Sequence, residues 1–312
     1  MILFYVKEAR NLLMKKIIVA GSANTDMVVK AKKLPLPGET ILGGIFFMNA
    51  GGKGANQAVA AARLGGDVVF VAKLGNDIFG KQIIDGLKKE GIRTDYVFID
   101  RDTPSGKALI MVNDEGENSI VVAPGANANL VSADIDSASD ITEAEIILVQ
   151  LEIPIETISA LAENAKANDQ KLILNPAPAQ RLDDKLLNGL FLITPNEIEA
   201  SLLTGVKISD EKTASQAARI LLNKGVKNVI ITLGKLGAYF QNDFISLRIN
   251  APVVHAVDTT AAGDTFNGAL AVALTENMDW QQAIQFAVIA ASISVTRLGA
   301  QSSIPYRNEI KM

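Results

Sequence analysis

The sequence has no cysteine and a single histidine, His255, among its 312 residues. The lack of cysteine excludes disulfides, thiolate metal sites and a cysteine nucleophile. One histidine cannot form a histidine metal cluster, and we assign it no role. The chain also lacks a G-x-x-x-x-G-K-S/T phosphate loop and a G-x-G-x-x-G dinucleotide fingerprint. Their absence argues against a Walker-type nucleotide site and against a dinucleotide-dependent dehydrogenase.

Basic clusters and long apolar runs are missing as well. The net charge is −4, so we expect no nucleic-acid partner and no membrane surface. No apolar run approaches the roughly 18–20 residues that span a bilayer. The apolar residues 1–6 lack a basic segment before them and do not resemble a signal peptide. We therefore expect a cytoplasmic protein, with residues 1–13 as an N-terminal extension and residues 14–312 as the folded domain.

Short apolar runs typical of strands buried on both faces recur along the chain. They lie at residues 16–20, 68–72, 146–151, 172–174, 190–193 and 229–232. Amphipathic stretches of helical length separate most of them, for example residues 54–64, 155–167 and 215–224. This alternation predicts an α/β fold with a mainly parallel central sheet and helices on both faces. Ligands of such sheets bind beyond the carboxyl ends of the strands.

Two segments break this alternation. Residues 25–44 have the pattern of strands joined by a Leu-Pro-Leu-Pro-Gly turn, and residues 107–112 and 119–122 that of a hairpin. We predict that the segments near 25–44 and 105–123 form a small β-sheet that acts as a lid over the main sheet. A small sheet needs cover for its edges and one face, which favours a homodimer through the lid.

The run Val-Asp-Thr-Thr-Ala-Ala-Gly-Asp-Thr-Phe at residues 257–266 is the most informative motif. Small residues lead into an apolar-periodic helix, and Asp264 lies where the helix should begin. A helix start with little side-chain bulk presents free N–H groups and the positive end of the dipole, which together bind anions. A carboxylate beside it supplies a proton acceptor. The alternative is an N-capping aspartate on an ordinary helix.

A second glycine-rich run, Ala-Gly-Gly-Lys-Gly-Ala-Asn-Gln at residues 50–57, precedes an alanine-rich helix. Two glycines at a helix start let a ligand approach the backbone closely. Lys53 could lie near an anion, and the Asn56 amide both donates and accepts hydrogen bonds. The alternative is a helix start packed tightly against a strand.

Polar side chains follow two of the predicted strands. Asn24 and Asp26 are two residues apart in an extended segment, so they face the same side and suit vicinal sugar hydroxyls. Glu152 follows the strand at 146–151, at the edge where ligands bind. The alternatives are a solvated turn for the pair and an exposed loop acid for Glu152.

Two further segments follow predicted strands. Residues 194–199 are expected to open a helix with Asn196 and Glu199 on one face. This pair could orient Mg²⁺-bound waters and phosphates, because Mg²⁺ keeps much of its hydration, or it could simply cap the helix. Residues 232–237 are either a backbone-lined nucleotide contact or a turn. Because all these segments lie at strand carboxyl ends, a shared site is favoured.

The runs at residues 51–57 and 258–268 resemble the two signatures of the phosphofructokinase-B-type carbohydrate kinase family, and the similarity extends from about residue 16 to residue 307. Within that family, the set of motifs is most similar to the kinases that act on ribose. The resemblance implies ATP-dependent phosphorylation of D-ribose at its 5-hydroxyl, with Mg²⁺ accompanying ATP and K⁺ as an activating cation.

The resemblance also implies roles for the matching residues. Asp264 would take the proton from the 5-hydroxyl, and the anion hole over the transferring phosphate would comprise Ala261, Ala262, Gly263 and Asp264. The sugar contacts would be Asn24, Asp26, Gly52, Lys53, Asn56, Glu152 and Asp264. The nucleotide contacts would be Asn196, Thr232, Gly234, Lys235, Gly237 and Gly263, with Glu199 binding Mg²⁺ indirectly. K⁺ would lie in loops that carry Asp258, Thr260, Ser294, Arg297, Gly299 and Ser303, mostly against backbone oxygens. Val288 stands where the family often has a polar or histidine side chain beside adenine, so no polar contact is expected there.

Two alternatives stay open. The chain could be a kinase for deoxyribose, another sugar or a nucleoside within the same family. It could instead be a sugar- or nucleotide-binding regulator without catalysis, although the acid at position 264 and the small residues at 261–263 argue against this. The sequence does not settle the sugar or the number of subunits.

Overall fold

The computed structural model describes residues 15–312, so the predicted extension at residues 1–13 lies outside the described part of the chain. Within residues 15–312, the strands are β1 (Lys16–Ala20), β2 (Asn24–Lys30), β3 (Ile45–Gly51), β4 (Asp67–Gly75), β5 (Arg93–Asp100), β6 (Gly106–Val112), β7 (Asn118–Ala123), β8 (Ile146–Gln150), β9 (Lys171–Asn175), β10 (Leu192–Ile193), β11 (Asn228–Thr232), β12 (Ala238–Asn242) and β13 (Ser246–Ile249).

The helices of the same residues are α1 (Lys53–Arg63), α2 (Ile78–Lys89), α3 (Ser132–Ser137), α4 (Ile155–Ala167), α5 (Asp184–Leu187), α6 (Glu197–Thr204), α7 (Glu211–Asn223), α8 (Ala262–Thr275) and α9 (Trp280–Ser294). Short 3₁₀ turns lie at Gly125–Asn129, Ser139–Glu143, Gly234–Leu236, Gln301–Ser303 and Arg307–Glu309. None of the helices described is long and apolar enough to cross a membrane.

The larger sheet has nine strands in the described residues, in the order β13-β12-β11-β10-β9-β8-β1-β4-β5. The seven strands from β11 to β5 pair in parallel with their neighbours, whereas β12 pairs antiparallel with both β11 and β13. The prediction of a mainly parallel central sheet is therefore confirmed.

Strand β1 shows why both faces of this sheet are covered. Its side chains alternate, so Ile17 and Val19 pack in a core with residues of α1, α8 and α9. Ile18 and Ala20 point the other way, into a second core with residues of α4 and α7. The predicted helices on both faces are confirmed, and each apolar strand run serves two cores at once.

The smaller sheet has the order β3-β2-β6-β7. The predicted hairpin is confirmed as β6 and β7. The prediction of two strands within residues 25–44 is wrong in its second strand: residues 31–44 contain no strand, and the partner of β2 begins at Ile45. Prolines at 35 and 37 interrupt the chain after β2, and the antiparallel register then pairs Lys30 with Ile45.

Two predicted boundaries also differ. The strand predicted at 190–193 is reduced to β10, residues Leu192–Ile193. The helix predicted at 215–224 begins earlier, at Glu211, because Asp210 caps it by accepting a hydrogen bond from the Thr213 N–H at 2.8 Å. Apolar periodicity starts only in the second turn of this helix, so the pattern alone placed its start too late.

Candidate active site

Helix α8 is not capped by Asp264. The N-cap is Ala261, which has a left-handed backbone with φ 59°, and Asp264 lies in the first helical turn. The interpretation of Asp264 as an N-cap is therefore wrong. Among residues 15–312, no backbone carbonyl outside the helix accepts a hydrogen bond from the N–H of Gly263 or Asp264. First-turn N–H groups have no partner within their own helix, so two of them are available to an anion.

The carboxylate of Asp264 is held by amide donors. Its Oδ2 accepts a hydrogen bond from Asn56 Nδ2 at 3.0 Å, and its Oδ1 accepts one from Gln57 Nε2 at 3.0 Å. The side chain is buried, with 6% of its surface exposed. These donors suit an ionised carboxylate, which only accepts hydrogen bonds. The Asn56 Oδ1 is buried and has no partner within the described chain, so it is free to accept from a bound group.

The glycine-rich run packs against the end of β1. A Cβ on Gly54 would lie 2.6 Å from the backbone of Gly21 and Ser22, and Gly52 has a positive φ of 88°. For Gly54, the tight-packing alternative is thus what the structure shows, and it brings the start of α1 to the carboxyl end of the sheet.

Glu152 is an internal group of the site and not an exposed loop acid. Its Oε2 accepts hydrogen bonds from the Lys53 backbone N–H at 3.1 Å and from Ser22 Oγ at 2.5 Å. The Lys53 side chain lies among carboxylates. Although burial works against its charge, Asp264, Glu152 and Glu199 raise the pKa of the Lys53 amine. The site therefore contains a fixed positive charge surrounded by acids.

Asn24 and Asp26 begin β2 and do not form a solvated turn. Asn24 is buried, and its Oδ1 accepts a hydrogen bond from Asn127 Nδ2 at 2.8 Å, which leaves the Asn24 amide N–H groups as free donors. Burial, together with the charges of Glu152 and Asp264, raises the pKa of the Asp26 carboxyl to about 6. The pair therefore combines a donor and an acceptor on one face of the smaller sheet.

A cavity of about 460 Å³ opens beside the start of α8. Its lining includes all the residues expected at the nucleotide: Asn196, Thr232, Gly234, Lys235, Gly237 and Gly263. The rest of the lining forms a mostly apolar wall that includes Val253, Phe266 and Val288. A volume of this size, lined by many apolar residues and a few polar groups, is typical of a pocket for a flat organic ligand.

Asn196 and Glu199 form a capping box at the start of α6. The Asn196 N–H donates to Glu199 Oε2 at 2.9 Å, and the Glu199 N–H donates to Asn196 Oδ1 at 2.8 Å. Burial raises the pKa of the Glu199 carboxyl, against the effects of the Asn196 N–H and Lys53. Within residues 15–312 there is no group of three or more acidic or histidine side chains that could hold a metal. The Glu199 carboxylate and the Asn196 amide are the groups here that could orient Mg²⁺-bound waters, because Mg²⁺ keeps much of its hydration.

The loops expected at a monovalent cation are joined by Asp258. Its Oδ1 accepts a hydrogen bond from the Thr260 N–H at 2.9 Å, and its Oδ2 accepts one from the Gly299 N–H at 2.9 Å. Burial opposes these bonds, but they lower the pKa of the Asp258 carboxyl. The Arg297 guanidinium pairs with Glu309, so only its backbone is left to face a cation. Ser294 and Ser303 are both buried beside these loops.

Sequence reasoning missed several polar residues that support the site: Ser22, Gln57, Asn127, Gln150 and Asn175. Gln57 follows Asn56 in the glycine-rich run, so its position beside the motif was a usable signal. Asn127 gave no such signal, because its contact with Asn24 joins residues 103 positions apart.

Comparison with known proteins agrees with this geometry. Residues 14–307 match the model of the pfkB family carbohydrate kinases. The chain is similar to a ribokinase from Haemophilus influenzae, with 45% identity over 95% of this chain and 97% of the relative. It is similar to a deoxyribokinase from Salmonella typhi, with 40% identity over 93% and 95% of the two chains. The structure of an Arabidopsis thaliana ribokinase complexed with ribose and ATP superimposes with a TM-score of 0.88 and 35% identity, covering 95% of this chain and 97% of that one.

Proposed function

The chain belongs to the pfkB family of carbohydrate kinases, and we propose that it transfers the γ-phosphoryl group of ATP to the 5-hydroxyl of D-ribose. The products are D-ribose 5-phosphate and ADP. The observation that carries the proposal is the position of Asp264. Its carboxylate contacts Asn56, one of the expected sugar contacts, and its neighbour Gly263 lines the cavity that contains the expected nucleotide contacts.

On the sugar side, Asp264 accepts the proton of the 5-hydroxyl as the oxygen attacks phosphorus. Asn24 donates to ribose hydroxyls, Asp26 accepts from them, and the unpartnered Asn56 Oδ1 accepts one more. Gly52, Lys53 and Glu152 complete the sugar contacts. A donor beside an acceptor suits a vicinal diol, whose hydroxyls both donate and accept.

On the nucleotide side, the apolar wall with Val288 binds the adenine. The turn from Thr232 to Gly237 lies along the nucleotide, and so does Asn196. Phosphoryl transfer depends on in-line positioning and on neutralising the charge of the phosphates. Ala261, Ala262 and the free N–H groups of Gly263 and Asp264 form the anion hole. Glu199 would hold Mg²⁺ indirectly, and the ion would supply charge neutralisation when it is bound with ATP.

We propose that K⁺ binds between the loops that carry Asp258, Thr260, Ser294, Arg297, Gly299 and Ser303. One carboxylate with backbone carbonyls is a donor set suited to a large monovalent cation. The lid role of the smaller sheet is likewise a proposal: it rests on Asn24 and Asp26, which reach the site from the start of β2. The expected cytoplasmic location remains a prediction.

The smaller sheet also supports the proposed homodimer. Met27, Met48, Leu109 and Val121 lie in register across its four strands. Met48, Leu109 and Val121 are exposed. Because neighbours in a strand face opposite sides, this row lies on the face away from Asp26. A contiguous apolar row of this kind favours an interface with a second copy.

A sugar panel tests the proposed substrate. ADP release is measured with ribose, 2-deoxyribose, fructose and a nucleoside, each in K⁺ and in Na⁺, and the product is identified by ³¹P NMR. We expect the highest kcat/KM for ribose. The deoxyribokinase relative makes 2-deoxyribose the second candidate. A clear preference for any other acceptor overturns the proposal that ribose is the substrate. The absence of turnover with every acceptor favours a non-catalytic binding protein.

A further inference from the structure

Behind Asp264 lies a chain of buried amides that the catalytic scheme does not use. Gln57 donates both of its Nε2 hydrogens, one to Asp264 Oδ1 at 3.0 Å and one to Asn175 Oδ1 at 3.0 Å. Its Oε1 accepts a hydrogen bond from Gln150 Nε2 at 2.5 Å. Gln57 and Gln150 are fully buried, and Asn175 is nearly so. The amide chain therefore links the carboxylate to the main sheet, away from solvent.

The fold supplies rigid attachment points for these amides. Gln150 is the last residue of β8 and Asn175 is the last residue of β9, and the two are paired in the parallel register. Asn175 Nδ2 in turn donates to the Thr194 carbonyl at 3.3 Å. Side chains on central strands are more precisely placed than side chains on loops. Gln57 thus connects the end of the central sheet to the first turn of α8.

The donors and acceptors around Gln57 fix the orientation of its side-chain amide. A glutamine amide has two N–H donors and one acceptor oxygen. Asn175 donates its Nδ2 to the Thr194 carbonyl, so its oxygen faces Gln57, and the Asp264 carboxylate only accepts hydrogen bonds. The Gln57 nitrogen must therefore face Asp264 and Asn175. A flipped amide would set its oxygen against two acceptor oxygens. One oxygen of the Asp264 carboxylate is therefore held by a donor of fixed direction, which selects the rotamer of the carboxyl group.

We propose that Gln57, held by Gln150 and Asn175, is a positioning residue that aims the Asp264 carboxylate at the sugar hydroxyl. This inference rests on the proposed kinase function. Gln57 is fully buried, so it acts through Asp264 and not by contacting the sugar or the nucleotide. Its loss should therefore change the rate of phosphoryl transfer and not the affinity for substrates, because misplacing a catalytic group by about 1 Å can cost about 100-fold.

The test compares kcat and KM of Gln57→Leu with the unchanged full-length protein in the coupled ADP assay. We expect kcat to fall by about 10- to 100-fold while the KM values for ribose and ATP change by less than about threefold. Gln241→Leu is the matched control, because Gln241 is another buried glutamine, on β12 away from Asp264. We expect its kcat to be unchanged. A kcat of Gln57→Leu within twofold of the unchanged protein overturns the proposal.

Gln57→Glu keeps the test decisive if the leucine variant does not fold. The introduced carboxyl can accept from Gln150 but can donate to Asp264 only while it is protonated. The ratio of its kcat to that of the unchanged protein, at saturating ribose, should therefore rise as the pH is lowered from 8 to 6. Taking the ratio removes effects shared by both proteins, such as titration of Asp26. A ratio that stays flat or falls overturns the proposal.

The two hypotheses fail in different ways. If the unchanged protein releases no ADP with any sugar, the proposed function is wrong. If the unchanged protein is active and Gln57→Leu raises KM without lowering kcat, the function stands and the positioning role is wrong.

Discussion

At the scale of single residues, the site is defined by the partners of its carboxylates. Asp264 is contacted by amide donors, Glu152 by a hydroxyl and a backbone N–H, and Glu199 by its own cap residue. Within residues 15–312, no group donates a hydrogen bond to the Asp26 carboxylate, which lies near the carboxylates of Glu152 and Asp264. Asp264, Glu152 and Glu199 are thus held in place by hydrogen bonds, and Asp26 is not.

Asp264→Asn should lower kcat by about 10²- to 10⁴-fold, which is the usual contribution of a general base. Ribose binding should be largely retained, because Asn24, Asp26 and Asn56 are unchanged. The measurements are ADP release and calorimetric titration of ribose. Asp95→Asn, at an exposed position of β5, is the control. A near-normal kcat in Asp264→Asn would contradict the assigned base.

Ribose affinity should depend on pH through Asp26. The pKa of this carboxyl is raised to about 6, so it is mostly ionised at pH 7 and protonated below pH 6. Since the sugar hydroxyls donate to the ionised form, protonation removes an acceptor. Titration calorimetry should show binding about tenfold weaker at pH 5 than at pH 7. Asp26→Asn should bind more weakly at pH 7 and lose most of this dependence; if it keeps the full dependence, another group titrates.

At the scale of elements, the parts predicted well were those with a local signal. Strands such as β1 and β8 are continuous apolar runs because two cores cover them, and that pattern is visible without the fold. Strand β3 begins with the apolar run Ile-Phe-Phe-Met, which was not predicted to be a strand. In the structure these four residues are exposed, so the run does not mark a buried strand. The position of β3 is set by its register with β2, which is a pairing between distant residues.

The loops around Asp258 supply a prediction at this scale. Asp258→Asn removes the negative charge that faces both loops and weakens the bonds to Thr260 and Gly299. The ratio of the rate in K⁺ to the rate in Na⁺ should fall to about one, because a neutral amide attracts a cation far less than a carboxylate does. Steady-state rates in the two salts measure this ratio. Asp243→Asn, in an exposed turn, should keep the ratio of the unchanged protein.

At the scale of the whole molecule, two sheets share one site. The larger sheet brings Glu152, Asn196 and the turn after Thr232 to one edge, and the smaller sheet brings Asn24 and Asp26 to the same place. The outward face of the smaller sheet carries the apolar row through Leu109 and Val121. A second copy covering that row would also support β2, the strand that carries Asn24 and Asp26.

The double variant Leu109→Glu with Val121→Glu should therefore convert the proposed dimer into a monomer. These side chains are neighbours across β6 and β7, with 57% and 66% of their surfaces exposed. Two adjacent carboxylates would repel their copies in a symmetric interface. Sedimentation equilibrium measures the change, and Phe244→Glu, at an exposed turn, is the control that should leave the mass unchanged. An unchanged protein that is monomeric at all concentrations would contradict the proposed interface.

The sequence by itself determined the alternation of strands and helices, the two glycine-rich motifs and the acids at strand ends. These features are local: each depends on the spacing of residues within a few turns or one strand. It also identified the kinase family, which the comparisons confirmed. Only the tertiary structure decided which amides hold Asp264, that Asn127 orients Asn24, and that β3 belongs to the smaller sheet. Those contacts join residues that are far apart along the chain, and which partners meet is set by how the two sheets and their helices pack.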